Sequence, residues 1–186
     1  MIAASSAVTV HAQKVTFGVK GGLNLAKLTD QDDSKVRPSV YAGGFANIAF
    51  NESLSLQPEL LYSGQGAKYT EKISNTDFVT KLGYINVPVM VQYRIVPEFI
   101  LEAGPQVGFL TGAKVKSGKV TVDVKDQTKS VDFGLGFGVG YQFPIGLGVG
   151  ARYMFGLTKV FEGDDDAKSK NSVAQIGVFY TFKHKK

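Results

Sequence analysis

Residues 131–158 read Val-Asp-Phe-Gly-Leu-Gly-Phe-Gly-Val-Gly-Tyr-Gln-Phe-Pro-Ile-Gly-Leu-Gly-Val-Gly-Ala-Arg-Tyr-Met-Phe-Gly-Leu-Thr. Up to Phe143 every odd position is apolar: Val131, Phe133, Leu135, Phe137, Val139, Tyr141 and Phe143. Between them lie Asp132, Gly134, Gly136, Gly138, Gly140 and Gln142. After Pro144-Ile145-Gly146 the alternation resumes, with Leu147, Val149, Ala151, Tyr153, Phe155 and Leu157 set against Gly148, Gly150, Arg152, Met154, Gly156 and Thr158. A period of two puts successive side chains on opposite faces of a β-strand. Phe133 to Ala151 is a 19-residue run without a charge, long enough for a transmembrane helix. Its seven glycines, Pro144 and strict alternation make it a hairpin instead.

Outward from this hairpin the same pattern recurs, and no segment shows sustained helical periodicity. From Val15, the apolar face Val15, Phe17, Val19, Leu23 and Leu25 opposes Thr16, Gly18, Lys20, Gly22 and Asn24. The alternation predicts eight strands, at about 15–27, 38–50, 54–69, 82–95, 99–113, 129–143, 147–160 and 172–182. Each is long for a globular strand and long enough to cross a bilayer at a tilt. Three-residue turns at Asn51-Glu52-Ser53, Val96-Pro97-Glu98 and Pro144-Ile145-Gly146 alternate with longer polar loops near 28–37, 70–81, 114–128 and 161–171. Short turns on one rim and long loops on the other mark an outer-membrane barrel. The fold expected is all-β: an eight-stranded antiparallel up-and-down transmembrane β-barrel. Simple hairpins would pair Phe50 with Leu54, Ile95 with Phe99 and Phe143 with Leu147. That register sets greasy against greasy and polar against polar, Asn47 with Gln57 and Gln92 with Glu102.

Composition agrees. The chain has 186 residues, 22 of them glycine, with no cysteine, no tryptophan and two histidines. Glycine is thus about 12% against a usual ~7%, an excess that suits the crowded lumen of a barrel filled by its own side chains. The face opposite the apolar one carries Lys20, Asn24, Gln57, Glu59, Asn86, Gln92, Arg94, Glu102, Gln106, Asp132, Gln142, Arg152 and Gln175. Its ionisable groups balance, Lys20, Arg94 and Arg152 against Glu59, Glu102 and Asp132, as a narrow interior requires. These six are expected to form a structural lumen charge network. Arg152 should face Gly138, and Glu102 should lie diagonal to Arg94. A soluble lipocalin-like carrier would need the opposite polarity, with the apolar face inside.

Little points to chemistry. Without cysteine there is no disulfide, Cys-ligated zinc, iron–sulfur cluster or thiol catalysis. His11 and His184 lie at opposite ends of the chain, so neither a multi-histidine metal site nor a histidine-dependent hydrolase is expected. A lipid-modifying outer-membrane enzyme without histidine is the remaining catalytic alternative. Residues 134–140 lack the spacing of a phosphate loop. Asp164-Asp165-Asp166 reads as a solvated acidic loop rather than a cation site. No catalytic residue, cofactor or metal is therefore expected. Of the net charge of +5, three charges come from Lys183, Lys185 and Lys186; without a basic stripe interleaved with aromatics there is no nucleic-acid partner. Residues 1–13, small, apolar and uncharged, end in Val10-His11-Ala12 before Gln13 and fit the end of a secretory signal peptide. The expected division is a signal-peptide remnant at 1–13, a barrel at 14–182 and a basic tail at 183–186.

Several stretches carry a family resemblance. They are Val19-Lys20-Gly21-Gly22-Leu23-Asn24, Tyr84-Ile85-Asn86-Val87-Pro88-Val89, Gly104-Pro105-Gln106-Val107-Gly108, Asp132-Phe133-Gly134-Leu135 with Gly138-Val139-Gly140-Tyr141, and Ala151-Arg152-Tyr153 with Gly156-Leu157. In this order, over nearly all of 15–182, the chain resembles the PorT-like outer-membrane β-barrel family of Bacteroidetes. The resemblance implies an eight-stranded outer-membrane barrel of mostly unassigned role. The family's namesake belongs to the type IX secretion system, a role that structural glycines, prolines and lumen charges do not carry across. The last strand, ending in Tyr180 and Phe182, resembles the aromatic-terminated signal of barrel assembly, although Lys183–Lys186 follow it. The expected protein is a small non-enzymatic barrel of the Gram-negative outer membrane, with a structural or interaction/secretion-accessory role through its long extracellular loops. It would touch outer-membrane lipid and lipopolysaccharide, with a protein partner at its long loops.

Overall fold

A computed structural model describes residues 14–28, 35–71, 76–117, 120–125, 128–159 and 170–182. Nine strands appear in chain order: β1 Lys14–Leu28, β2 Arg37–Ala49, β3 Leu54–Glu71, β4 Thr76–Val96, β5 Phe99–Ser117, β6 Val120–Asp123, β7 Val131–Gln142, β8 Leu147–Lys159 and β9 Lys170–Thr181. Eight of them close a ring. Each pairs antiparallel with its chain neighbour, β5 pairs with β7 past the short β6, and β9 returns to β1 from Gly18 opposite Thr181 to Leu28 opposite Asn171. Closure leaves the membrane-spanning wall without an open edge, which a bilayer requires because it offers backbone groups no partner.

The polarity is that of a membrane barrel. Phe17, Leu60, Tyr62, Phe109, Phe133 and Ile176 are all about half exposed on the outer wall. Inside, Asn24, Gln57, Glu59, Asn86, Gln106 and Arg152 are buried. An apolar surface of this extent is foreign to a monomer in water. The interior is not uniformly polar, however. Tyr41, Phe45, Leu61, Leu82, Tyr84, Met90 and Met154 are buried there, and the Phe45 and Phe179 rings meet edge-to-face, centroids 6.4 Å apart.

Two of the three expected hairpins have the expected register. Phe50 N–H donates to the Leu54 carbonyl at 2.9 Å, and Phe143 N–H to the Leu147 carbonyl at 2.8 Å. In the first turn Asn51 Oδ1 accepts from the Ser53 and Leu54 N–H groups at 2.9 and 2.7 Å, so an Asx turn accounts for this asparagine. In the other, Gly146 at φ 92° donates to the Phe143 carbonyl at 3.0 Å, a left-handed position that closes a three-residue hairpin. The middle hairpin differs. Val96, not Ile95, pairs with Phe99, and a register shift between Arg94 and Val96 shortens the turn to Pro97-Glu98. Gln92 still faces Glu102; the bulge falls at the rim, where bulges add twist.

Two stretches expected as polar loops are strand. β4 begins at Thr76 and β5 runs to Ser117, where β6 pairs with it, so much of 70–81 and 114–128 is sheet. Hydrogen bonding carries the ladder on past the apolar belt, helped by β-branched Val79, Thr80, Val120, Thr121 and Val122.

Candidate functional site

The site is the barrel's interior, and strand alternation builds it. Glu59 on β3, Glu102 on β5, Arg152 on β8 and Lys20 on β1 occupy inward positions and meet in the bore. Arg152 grips Glu59 with both ends of its guanidinium, Nη1 to Oε2 at 2.8 Å and Nη2 to Oε1 at 2.7 Å. Its Nε donates to Glu102 Oε1 at 2.7 Å. Lys20 Nζ reaches Glu59 Oε1 at 3.0 Å. Neutral amides complete the carboxylates: Gln57 Nε2 donates to Glu59 Oε1 at 2.8 Å, and Gln92 Nε2 to Glu102 Oε2 at 3.0 Å. Asn47 Nδ2 ties the Gln57 and Gln92 oxygens together at 3.2 and 3.0 Å.

Two cations thus meet two carboxylates with no net charge. Side-chain exposure is 3% for Arg152 and 0% for Glu59. A charge set so deeply desolvated is tolerable only when its ions are paired and hydrogen-bonded; here all four are paired and both carboxylates accept a further amide bond. Gly138 faces Arg152 across β7 and β8, as the sequence requires. A Cβ added at Gly138 would stand 2.7 Å from Glu102 Oε1 and 2.9 Å from the Ala151 carbonyl oxygen. The cluster exists because that position has no side chain.

Arg94 and Asp132 stand apart from these four. Arg94, at the turn end, donates to the Pro97 carbonyl and to Gln142 Oε1, both at 2.7 Å, rather than to Glu102. Arg94 pairs with Ile100, two residues from Glu102 toward the turn, and its guanidinium points to that turn. Asp132, near the opposite end, faces Gly108 and pairs with no cation among the described residues. Its neighbours are Asn171 and Tyr84. Asp132 Oδ1, Asn86 Oδ1 and Gln106 Oε1 have no protein hydrogen-bond partner among the described residues, an arrangement that suits buried water.

The bore is narrow at the cluster. Lys20, Glu102 and Arg152 line a space of only about 50 Å³ that continues toward Arg94 and Gln142. It has room for a few waters and none for a solute. Among the described residues, no three His, Cys, Asp or Glu side chains are placed to hold a metal ion. His11, His184 and Asp164–Asp166 lie outside the described residues. The lumen aromatics Phe45 and Phe179 escape a reading by alternation because they sit in its polar phase. Their signal is the glycine each faces, Gly18 and Gly148, whose added Cβ would strike the ring.

A family described as outer membrane protein beta-barrel domain matches residues 11–162. The chain belongs to this family. Solved barrels of similar shape include Neisserial surface protein A, 19% identical with a TM-score of 0.58. Another is Ail, the attachment invasion locus protein of Yersinia pestis, 17% identical with a TM-score of 0.55. Each alignment covers 91% of this chain and 99% of the other. No curated protein matches the sequence. At these identities the likeness is one of fold. This outer-membrane barrel protein is therefore placed in the outer membrane of a Gram-negative cell.

Proposed function

We propose that the protein is a non-enzymatic, non-conducting barrel of the PorT-like kind, an anchor that holds its extended rim outside the cell. The observation that supports this reading is the plug. Arg152, Lys20, Glu59 and Glu102 act as a structural seal, and the two carboxylates are too fully engaged by cations and amides to shuttle protons for a substrate. With short turns in the periplasm, the continuations of β3, β4 and β5 and the β5–β6 hairpin face outward, where lipopolysaccharide and a protein partner would meet them. Residues 1–13, read as a signal-peptide remnant, and the 183–186 tail lie outside the described residues. Bacteroidetes origin rests on the motif resemblance alone.

Two measurements test this. Detergent-extracted protein should migrate faster unboiled than boiled, and in a planar bilayer it should carry no steady current. A chain that stays in the aqueous fraction with no mobility change would end the membrane reading; regular conductance steps would end the sealed-anchor reading. Cells overexpressing it should keep lipid A of unaltered mass, and a deacylated product would make it an enzyme.

A further inference from the structure

On the outer wall of β3, β4 and β5 the apolar belt ends abruptly in lysine. Lys81 on β4 and Lys114 on β5 are direct cross-strand partners. Both are exposed and alternate with Leu82 and Ala113, which are buried in the lumen, so the two ammonium groups share the outer face. Lys116 lies two residues further along β5 opposite Val79, which in turn pairs with Lys68 on β3. Among the described residues, no carboxylate lies within ion-pair distance of Lys68, Lys81, Lys114 or Lys116. Asp123 stands opposite Lys114 on β6, and its Oδ1 accepts a hydrogen bond from the Lys125 backbone N–H at 3.0 Å. Like charges directly opposite on a sheet repel. Among the described residues four cations thus share this face without an ion-pair partner, an arrangement that suits an anion from outside the chain.

What lies next to the pair says what kind of anion. One step toward the membrane Gly83 and Gly112 are partners; a Cβ added at Gly112 would meet nothing within 4 Å, whereas one at Gly83 would stand 3.0 Å from the Thr111 hydroxyl and 3.3 Å from the Tyr62 hydroxyl. One step further come Ile85 with its partners Tyr62 and Phe109, exposed by 51% and 49% in the last two. The order along the wall is apolar, then a glycine step flanked by the Tyr62 and Thr111 hydroxyls, then cationic. A soluble anion needs only the last of these, whereas an amphiphile with a bulky phosphorylated head needs all three.

We propose that this face binds phosphorylated lipid of the outer leaflet, the phosphoglucosamine head of lipopolysaccharide. Its phosphate lies between Lys81 and Lys114, the sugar rests on the Gly83–Gly112 step beside the Thr111 and Tyr62 hydroxyls, and an acyl chain runs down over Ile85 and Phe109. The inference rests on the reading above that this rim faces outside the cell.

The test uses the full chain folded in detergent, with fluorescent diphosphorylated lipid A as probe and dephosphorylated lipid A beside it. Wild type should bind the phosphorylated form in preference, and salt should weaken binding. Lys81→Gln with Lys114→Gln should weaken it about 30-fold, each basic group near an anionic lipid surface contributing roughly fivefold. Lys81→Arg with Lys114→Arg should retain it. Gly112→Leu, which meets open space, should weaken binding by covering the sugar's place, and Lys14→Gln at the other rim should change nothing. Unchanged affinity in the double Gln variant, or equal binding of dephosphorylated lipid A, would overturn the site. Displacement by millimolar inorganic phosphate would make it a free-phosphate site and overturn the lipid assignment. Heat-modifiable migration of every variant separates the two readings: its absence in wild type defeats the membrane barrel, its presence with unaltered binding defeats only this site.

Discussion

Arg152 holds two carboxylates at once, with three bonds of 2.7–2.8 Å in a setting where water scarcely enters. Replacing it with Leu leaves Glu59 and Glu102 facing one cation, Lys20, with one negative charge uncompensated in the bore. Breaking a buried pair in this way costs about 3–5 kcal/mol. Arg94 offers the contrast, since its partners are a backbone carbonyl and a glutamine amide at the turn end. Losing those bonds, made by a cation to neutral acceptors at the solvent-exposed turn end, costs about 1–2 kcal/mol. Urea unfolding of barrels in lipid vesicles should therefore show a far lower midpoint for Arg152→Leu than for Arg94→Leu. Equal midpoints would mean that Arg152 is not held among the carboxylates.

Among the strands, β7 gives the sharpest test of packing, because four glycines share its inward face. At Gly138 an added Cβ would collide with Glu102 and with the Ala151 carbonyl, which is backbone and cannot swing away. At Gly140, two residues on, the nearest atoms are Phe179 Cε1 and the Val149 oxygen at 3.6 Å, ordinary contact. Gly138→Ala should cost about 1–3 kcal/mol as overpacking. Gly140→Ala should be neutral or stabilise by up to about 1 kcal/mol, since alanine loses less backbone freedom than glycine. The temperature at which the compact gel band disappears should fall for the first and hold or rise for the second; a parallel fall would refute the packed lumen. Much of this was legible in the sequence, because membrane and lumen impose opposite demands on alternate residues and a period of two records both. Strand limits were legible only where both demands act. Past the lipid, Lys81 and Lys114 point outward as polar residues do in any loop, so alternation loses its contrast and the continuing ladder was hidden. The Ile95 bulge was hidden for another reason: a rim position is constrained by turn geometry, not by a wet or greasy side.

For the molecule as a whole, the two rims are unequal, and that inequality makes its orientation testable. One rim consists of the turns at Asn51-Glu52-Ser53, Pro97-Glu98 and Pro144-Ile145-Gly146. The other carries the continuations of β3, β4 and β5 beyond the apolar belt, with β6 folded against β5. Outer-membrane barrels keep short turns in the periplasm and longer loops outside, so the long rim is expected on the cell surface. The chain has no cysteine, and a single introduced thiol therefore reports its own position without background. Val122 in β6 is 53% exposed, and Glu52 is exposed in the first turn; neither touches the lumen cluster. On intact cells a membrane-impermeant maleimide should label Val122→Cys, whereas Glu52→Cys should react only after the outer membrane is permeabilised. The reverse pattern would put the lysine face in the periplasm, out of reach of lipopolysaccharide, and leave the plug intact. Labelling of both thiols in intact cells would mean that the barrel does not span the membrane as a closed wall, and then the plug, the anchor and the lipid site would all fall together.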